Sequence, residues 1–124
     1  MSILNVVGRA ALASIFVQGG LSAVQQPQQR AKLVAQAGLP APELLTQING
    51  GVMVLSGSLM TLGIMPRTSA LALLAALVPT TVVGHPFWQF EEGAQRQGQM
   101  LHFAKNLALM GGLLLVVADT GERR

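Results

Sequence analysis

The side chains of this chain that can do chemistry gather within residues 85–112, where HPFW closes one apolar segment and HFAKN opens the next. His85, Trp88, His102, Lys105 and Asn106 all lie there, around one short polar loop. The flanking segments are too hydrophobic for a soluble domain, and ionisable groups inside a membrane are costly enough to be read as functional. An imidazole pair is able to ligate haem or a metal. No carboxylate or cysteine accompanies these two histidines in the apolar segments, however, so helix capping or inter-helix hydrogen bonding is the better expectation, and neither haem nor metal is expected. Lys105 is the sharpest member. An ammonium facing lipid costs about 3 kcal/mol or more. It must therefore snorkel to the interface, where Glu91 and Glu92 are the nearest acids in sequence, or point inward as a cationic floor for an anionic or quinone-like ligand. His102 stands three residues from Lys105 and four from Asn106, which puts all three on one helical face.

The elements that position these groups follow from composition. Of the 124 residues 51% are hydrophobic and only 10% are charged, against roughly 25% charged in an ordinary soluble domain. Residues 44–66 and 68–90 are charge-free runs of 23 residues each, and about 20 residues of helix cross a bilayer core. With a first span whose only charge is Arg9, and a last one interrupted by His102 and Lys105, the expected spans are about 3–24, 44–65, 68–89 and 100–118. That predicts one membrane domain over residues 1–124, an all-α, antiparallel four-helix transmembrane bundle. The first span has no Lys or Arg before residue 9 and is long for a signal core, so it is read as a retained helix.

The absence of Cys removes any disulfide framework, thiol redox pair or thiolate metal site and excludes a thiol-disulfide oxidoreductase. Net charge is +3 with the basic residues scattered, which gives a nucleic-acid role no support. Residues 28–37 form either a short interfacial helix, with Leu33, Val34 and Ala37 on one side, or a plain solvated loop. Pro40 and Pro42 stop any helix before Glu43, whose carboxylate suits the first turn of the second span. Pro66, Arg67 and Thr68 read as a minimal loop that makes spans two and three a hairpin. Small residues recur at packing intervals: Gly50, Gly57 and Gly63 in span two, Ala72, Ala76, Thr80 and Gly84 in span three, and Ala104, Ala108 and Gly112 in span four. Arg9, Arg67, Arg123 and Arg124 fall on one side against Arg30, Lys32 and Arg96 on the other, a narrow balance toward cytoplasmic termini.

Helix direction makes a further prediction. Span one ends where span two begins, and span three ends where span four begins. Gln18, Gln47, Asn49, His85, His102, Lys105 and Asn106 therefore share one leaflet as a polar layer, with Asn49 and His85 about 6 to 8 Å inside their span ends. Trp88, beside Phe87, reads as part of an interfacial aromatic belt, and Gln47 and Asn49 as inter-helix glue. Arg9 falls in the opposite leaflet and is expected to snorkel to the head groups beside Arg67.

GRAALASIFVQGG in span one, NGGVMVLSGSLMTLGIMPR leading to a basic loop, HPFW, and a glutamine-rich loop running into HFAKNLALMGGLLLV resemble the DoxX family of small bacterial inner-membrane proteins. The resemblance extends over nearly the whole chain, with the FAKNLAL-GG segment its most specific part. It implies a four-helix bundle and a family named for a subunit associated with a terminal quinol oxidase or thiosulfate:quinone oxidoreductase, most of whose members have no assigned activity. The family pattern carries onto Arg9, Gly19 or Gly20, Gly50, Gly51, Gly57, Arg67, His85, Trp88, Phe103, Lys105, Asn106, Gly111 and Gly112. Many members have a Glu in span two shortly before the paired glycines, where this chain has Gln47. A carboxylate able to accept a proton or pair with Lys105 is thus missing.

Two functions are expected from this pattern. The favoured one is an accessory or interaction subunit of a larger membrane complex, respiratory or redox in kind, in which Arg9, Gly50, Gly51, Gly57, Arg67, Gly111 and Gly112 serve structure and interfaces. The other is a quinone- or lipid-binding protein whose ligand meets Gln18, Gln47, Asn49, His85, Trp88, His102, Lys105 and Asn106. The expected partners are the bilayer and either a larger complex or further copies of the chain. No catalytic motif is present, and a transporter ranks lowest because no intramembrane carboxylate marks an ion path.

Overall fold

The computed structural model describes residues 2–119, and every regular element in them is helical. The chain runs through α1 (Ile3–Gln25), α2 (Gln28–Gln36), α3 (Pro42–Leu62), α4 (Pro66–Gly84), a 3-10 turn (Phe87–Gln89) and α5 (Ala94–Ala118). Arg123 and Arg124, counted above toward orientation, lie outside the described residues.

Helix boundaries follow from capping chemistry. Ser2 caps α1 by accepting the Asn5 N–H at 3.1 Å, satisfying one of the donors a helix start leaves open. Residues 28–36 are helix rather than loop. Glu43 occupies the first turn of α3 as expected. Pro66, Arg67 and Thr68 do not form the second loop. Pro66 is a first-turn residue of α4, where its missing N–H has no consequence, and the turn is residues 63–65. Gly63, at φ 75°, ends α3 while its N–H bonds Met60 O and the Ile64 N–H bonds Leu59 O, a glycine-dependent left-handed cap. α5 starts six residues earlier than expected because residues 94–99 continue the helix into the polar loop.

α1, α4 with its following turn, and α5 are long and apolar enough to cross a membrane. α3 is not among them although it has 21 residues. Thr46, Gln47, Asn49, Gly50, Gly51, Ser56, Gly57 and Ser58 dilute its apolar content, and it is the helix against which α1, α2 and α4 all pack. A central helix meets less lipid and tolerates that dilution. Its buried stripe is Thr46, Gly50, Met53, Ser56, Gly57 and Met60, facing Arg9, Ala13, Phe16, Gly20 and Ala23 of α1. The intervals alternate between three and four, the pattern of a left-handed helix pair. The backbones touch at one place. A Cβ added to Gly20 would lie 2.5 Å from the Gly50 carbonyl oxygen, and one added to Gly50 would lie 2.7 Å from that of Gly20. The apolar core joins Ala13 and Phe16 to Met53, Met60, Ala70, Leu73, Ala76, Leu77 and Leu113. Outside it, large apolar side chains such as Leu55, Leu101 and Leu115 are exposed, as a lipid-facing surface requires.

Arg9 corrects an expectation. It does not snorkel: it is buried in the bundle, 6% exposed, and its Nε–H donates to Met60 O at 3.1 Å. The last carbonyls of α3 lack helical partners and carry the negative end of the helix dipole, so a cation is held there. Arg67 serves the end of α5 in the same way, its Nε–H donating to Val117 O at 2.7 Å.

Candidate functional site

A cavity of about 710 Å³ opens within the bundle, with walls from all five helices. α1 contributes Phe16 and Gly19, α2 Arg30 and Leu33, α3 Asn49 and Met53, α4 Ala76 and Thr80, and α5 Lys105 and Asn106. His85, at the end of α4, lines it as well. Its size lies within the roughly 300–1,000 Å³ of sites for small hydrophobic ligands. Most of the wall is apolar, and the ionisable groups in it are Arg30, His85 and Lys105.

The wall is fixed by two hydrogen-bond relays that meet on α4 just after Pro79. Asn49 Nδ2 donates to Thr80 Oγ1 at 2.8 Å, and that hydroxyl donates to Ala76 O at 2.8 Å. From the other side Asn106 Nδ2 donates to Thr81 Oγ1 at 3.0 Å, and that hydroxyl donates to Leu77 O at 2.7 Å. Consecutive threonines thus tie α4 to α3 and to α5. Pro79 cannot donate to the Ala75 carbonyl, and both residues line the cavity. Polar groups freed by such a proline are tolerated in a membrane helix where they border a cavity or find side-chain partners.

Asn106 and Thr81 are 3% and 1% exposed, whereas Asn49 is half-buried. Thr81→Val should therefore lower stability by about 1–2 kcal/mol, because Asn106 loses its acceptor where water cannot replace it. Thr80→Val should have a smaller effect. Thermal melts of the two variants in one detergent check the order.

At the mouth, the His85 Nδ1–H donates to Gln99 Oε1 at 2.8 Å, and its ring stacks on His102 with centroids 4.9 Å apart and planes 21° apart. Gln99, in the part of α5 expected to be loop, was missing from the candidate residues; only its place in a helix facing His85 identifies it. Trp88 does not line the cavity. It packs edge-on with Phe87 and Phe103 at 5.3 and 5.9 Å, and Arg96 Cζ stands 6.0 Å from the Phe87 ring centre. Of the expected polar layer, then, Asn49, His85, Lys105 and Asn106 line one space, with His102 stacked behind His85. Gln47 instead donates to Val24 O at 3.3 Å on the outside of the α1–α3 pair. Gln18 lies in a separate surface depression with Ala10, Ser14 and Ser58.

Lys105 forms no hydrogen bond or ion pair with any described residue, the loop acids Glu91 and Glu92 included. Arg30, on α2, donates from Nη1 to Ser22 Oγ at 3.1 Å. It is a wall residue that sequence reasoning missed, because a lone basic residue in a short polar segment carries no signal until the fold lays that segment over the bundle. Among the glycines, Gly57 and Gly112 meet the neighbouring helix through Val17 and Leu12, whereas Cβ atoms on Gly51 and Gly111 would meet nothing within 4 Å. Among the described residues no three His, Cys, Asp or Glu converge as metal ligands would.

The DoxX family model matches residues 4–86. No curated protein and no solved structure matches the chain. The matched segment holds Arg9, Gly20, Gly50, Gly57, Arg67 and His85 and stops before Trp88 and the whole of α5, so the FAKNLAL segment, expected to be the most specific, lies beyond it. It covers about two-thirds of the 124 residues and includes the α1–α3 pair, the turn into α4 and four of the five helices that wall the cavity. With its apolar, membrane-length helices, the chain belongs to the DoxX family.

Proposed function

We propose that this membrane protein binds a hydrophobic molecule with a polar head, of quinone or lipid type, inside the bundle. The observation that carries the reading is the 710 Å³ cavity with Lys105 in its wall, a lysine that forms no hydrogen bond or ion pair among the described residues. Lys105 is exposed on the bundle rather than buried in it, and at membrane depth an ammonium without a counter-charge is costly, a cost that a ligand head group relieves. The residues that would meet the ligand are His85, Lys105 and Asn49, with Asn106 and His102 holding them in place. No catalysis is assigned. The proposed location is the inner or plasma membrane with cytoplasmic termini, on the distribution of basic residues.

Native mass spectrometry of the protein and a Lys105→Ala variant tests this. The wild type is expected to retain co-purified lipid or quinone that the variant loses at least in part. Equal retention in both would sink the reading.

The accessory-subunit reading keeps one supporting observation. Only Asn106 and Leu113 of α5 are buried, and Ala104, Ala108 and Gly111 are exposed, a small-residue face of the kind that receives another transmembrane helix. Affinity purification in mild detergent discriminates: repeated recovery of the protein alone counts against a partner.

A further inference from the structure

We infer that the cavity selects an anionic amphiphile, a phosphate or carboxylate head on an alkyl chain, through Arg30 on α2 and Lys105 on α5. The inference rests on the ligand-binding reading above and names its substrate class. Three observations carry it.

The first is charge. The cavity wall holds one guanidinium and one ammonium and no Asp or Glu, so the space has a positive field with nothing to neutralise it from within. A neutral quinone ring gains little from two cations, whereas an anionic head gains from both. The second is position. Arg30 sits on the short α2, which packs on α3 and α4, and among the described residues its side chain makes a single hydrogen bond, from Nη1 to Ser22 Oγ. A guanidinium has five N–H donors in a fixed fork, so donors remain for a phosphate or carboxylate. Lys105, on α5, has no partner among the described residues. The third is shape. The apolar wall includes Val52, Met53, Ala72, Ala75 and Leu77, and along α4 it extends from Ala72 to His85, about 20 Å at 1.5 Å per residue. A cavity that long and mostly apolar, carrying two cations in its wall, matches one alkyl chain with a charged head.

Arg30 and Lys105, both exposed side chains, each contribute through Coulomb attraction to the head group, of a size near fivefold in affinity per cation. The experiment uses the full-length protein in a mild non-ionic detergent. Native mass spectrometry compares retention of hexadecanoate, methyl hexadecanoate, phosphatidylglycerol, phosphatidylcholine and decylbenzoquinone. The wild type is expected to retain each anion about fivefold or more over its neutral or zwitterionic counterpart. In Arg30→Gln/Lys105→Gln that ratio is expected to fall to about one. Preference for hexadecanoate over phosphatidylglycerol assigns the head to a free fatty acid, and the reverse assigns it to a phospholipid. Retention of the ester or quinone at or above the anions by the wild type overturns the inference while leaving the ligand-binding reading standing, as does an unchanged ratio in the double variant. Retention of none of the five probes overturns both.

Discussion

Gly50→Leu is expected to abolish most recovery of folded protein in mild detergent, with any residue melting well below the wild type. The reason is local. At the α1–α3 crossing a Cβ on Gly50 would lie 2.7 Å from Gly20 O and 2.8 Å from Ala23 Cβ, and the first of these is rigid backbone. Overpacking of a well-fitted interior costs about 1–3 kcal/mol, and here the helices can relieve it only by separating. In lipid, where no hydrophobic effect holds helices together, close packing is itself the main attraction. The neighbouring Gly51 supplies the control. A Cβ there meets nothing within 4 Å, so Gly51→Leu should stay within about 0.5 kcal/mol of wild type. Comparable melting of the two variants would mean that the crossing is not where the structure places it.

The second large effect is expected at Arg9. Arg9→Leu removes a charged donor from Met60 O in a buried, membrane-embedded setting, a loss of about 1.5–3 kcal/mol. Arg9→Gln keeps an N–H donor of shorter reach and should recover part of it. The comparison is made by thermal melting in detergent. If Arg9→Leu melts with the wild type, the side chain is at the head groups after all and the α3 terminus is satisfied by something else.

The architecture was legible in the sequence because uncharged runs of membrane length admit few alternatives. α1, α3 and α4 overlap the expected spans closely while α5 begins six residues before its own, and helix direction placed Asn49, His85, Lys105 and Asn106 in one leaflet without saying which faces meet. Three things were not legible. Arg9 looked like a snorkelling residue because the sequence does not reveal that the α3 carboxyl end sits beside it. Gln18 and Gln47 share the leaflet of the polar layer but not its face, and leaflet depth without helix rotation cannot separate them. Arg30 and Gln99 lie in segments read as an uncertain helix and as a loop, and both acquired roles only when α2 folded against the bundle and α5 extended backwards. Paired glycines were equally ambiguous in sequence: Gly50 is at a backbone contact and Gly51 is beside open space.

Occupancy of the cavity is the claim on which the functional account depends, and Gly19 offers the most direct test of it. Gly19 lines the cavity, and a Cβ there meets nothing within 4 Å, so Gly19→Phe can obstruct part of the space without disturbing the helix crossing next to it at Gly20. The measurement is the mass of hydrophobic ligand released per protein from wild type and from Gly19→Phe purified side by side, with melting curves confirming that both are folded. The account predicts near-stoichiometric ligand from the wild type and little from the obstructed variant. Equal release from two folded proteins would contradict it.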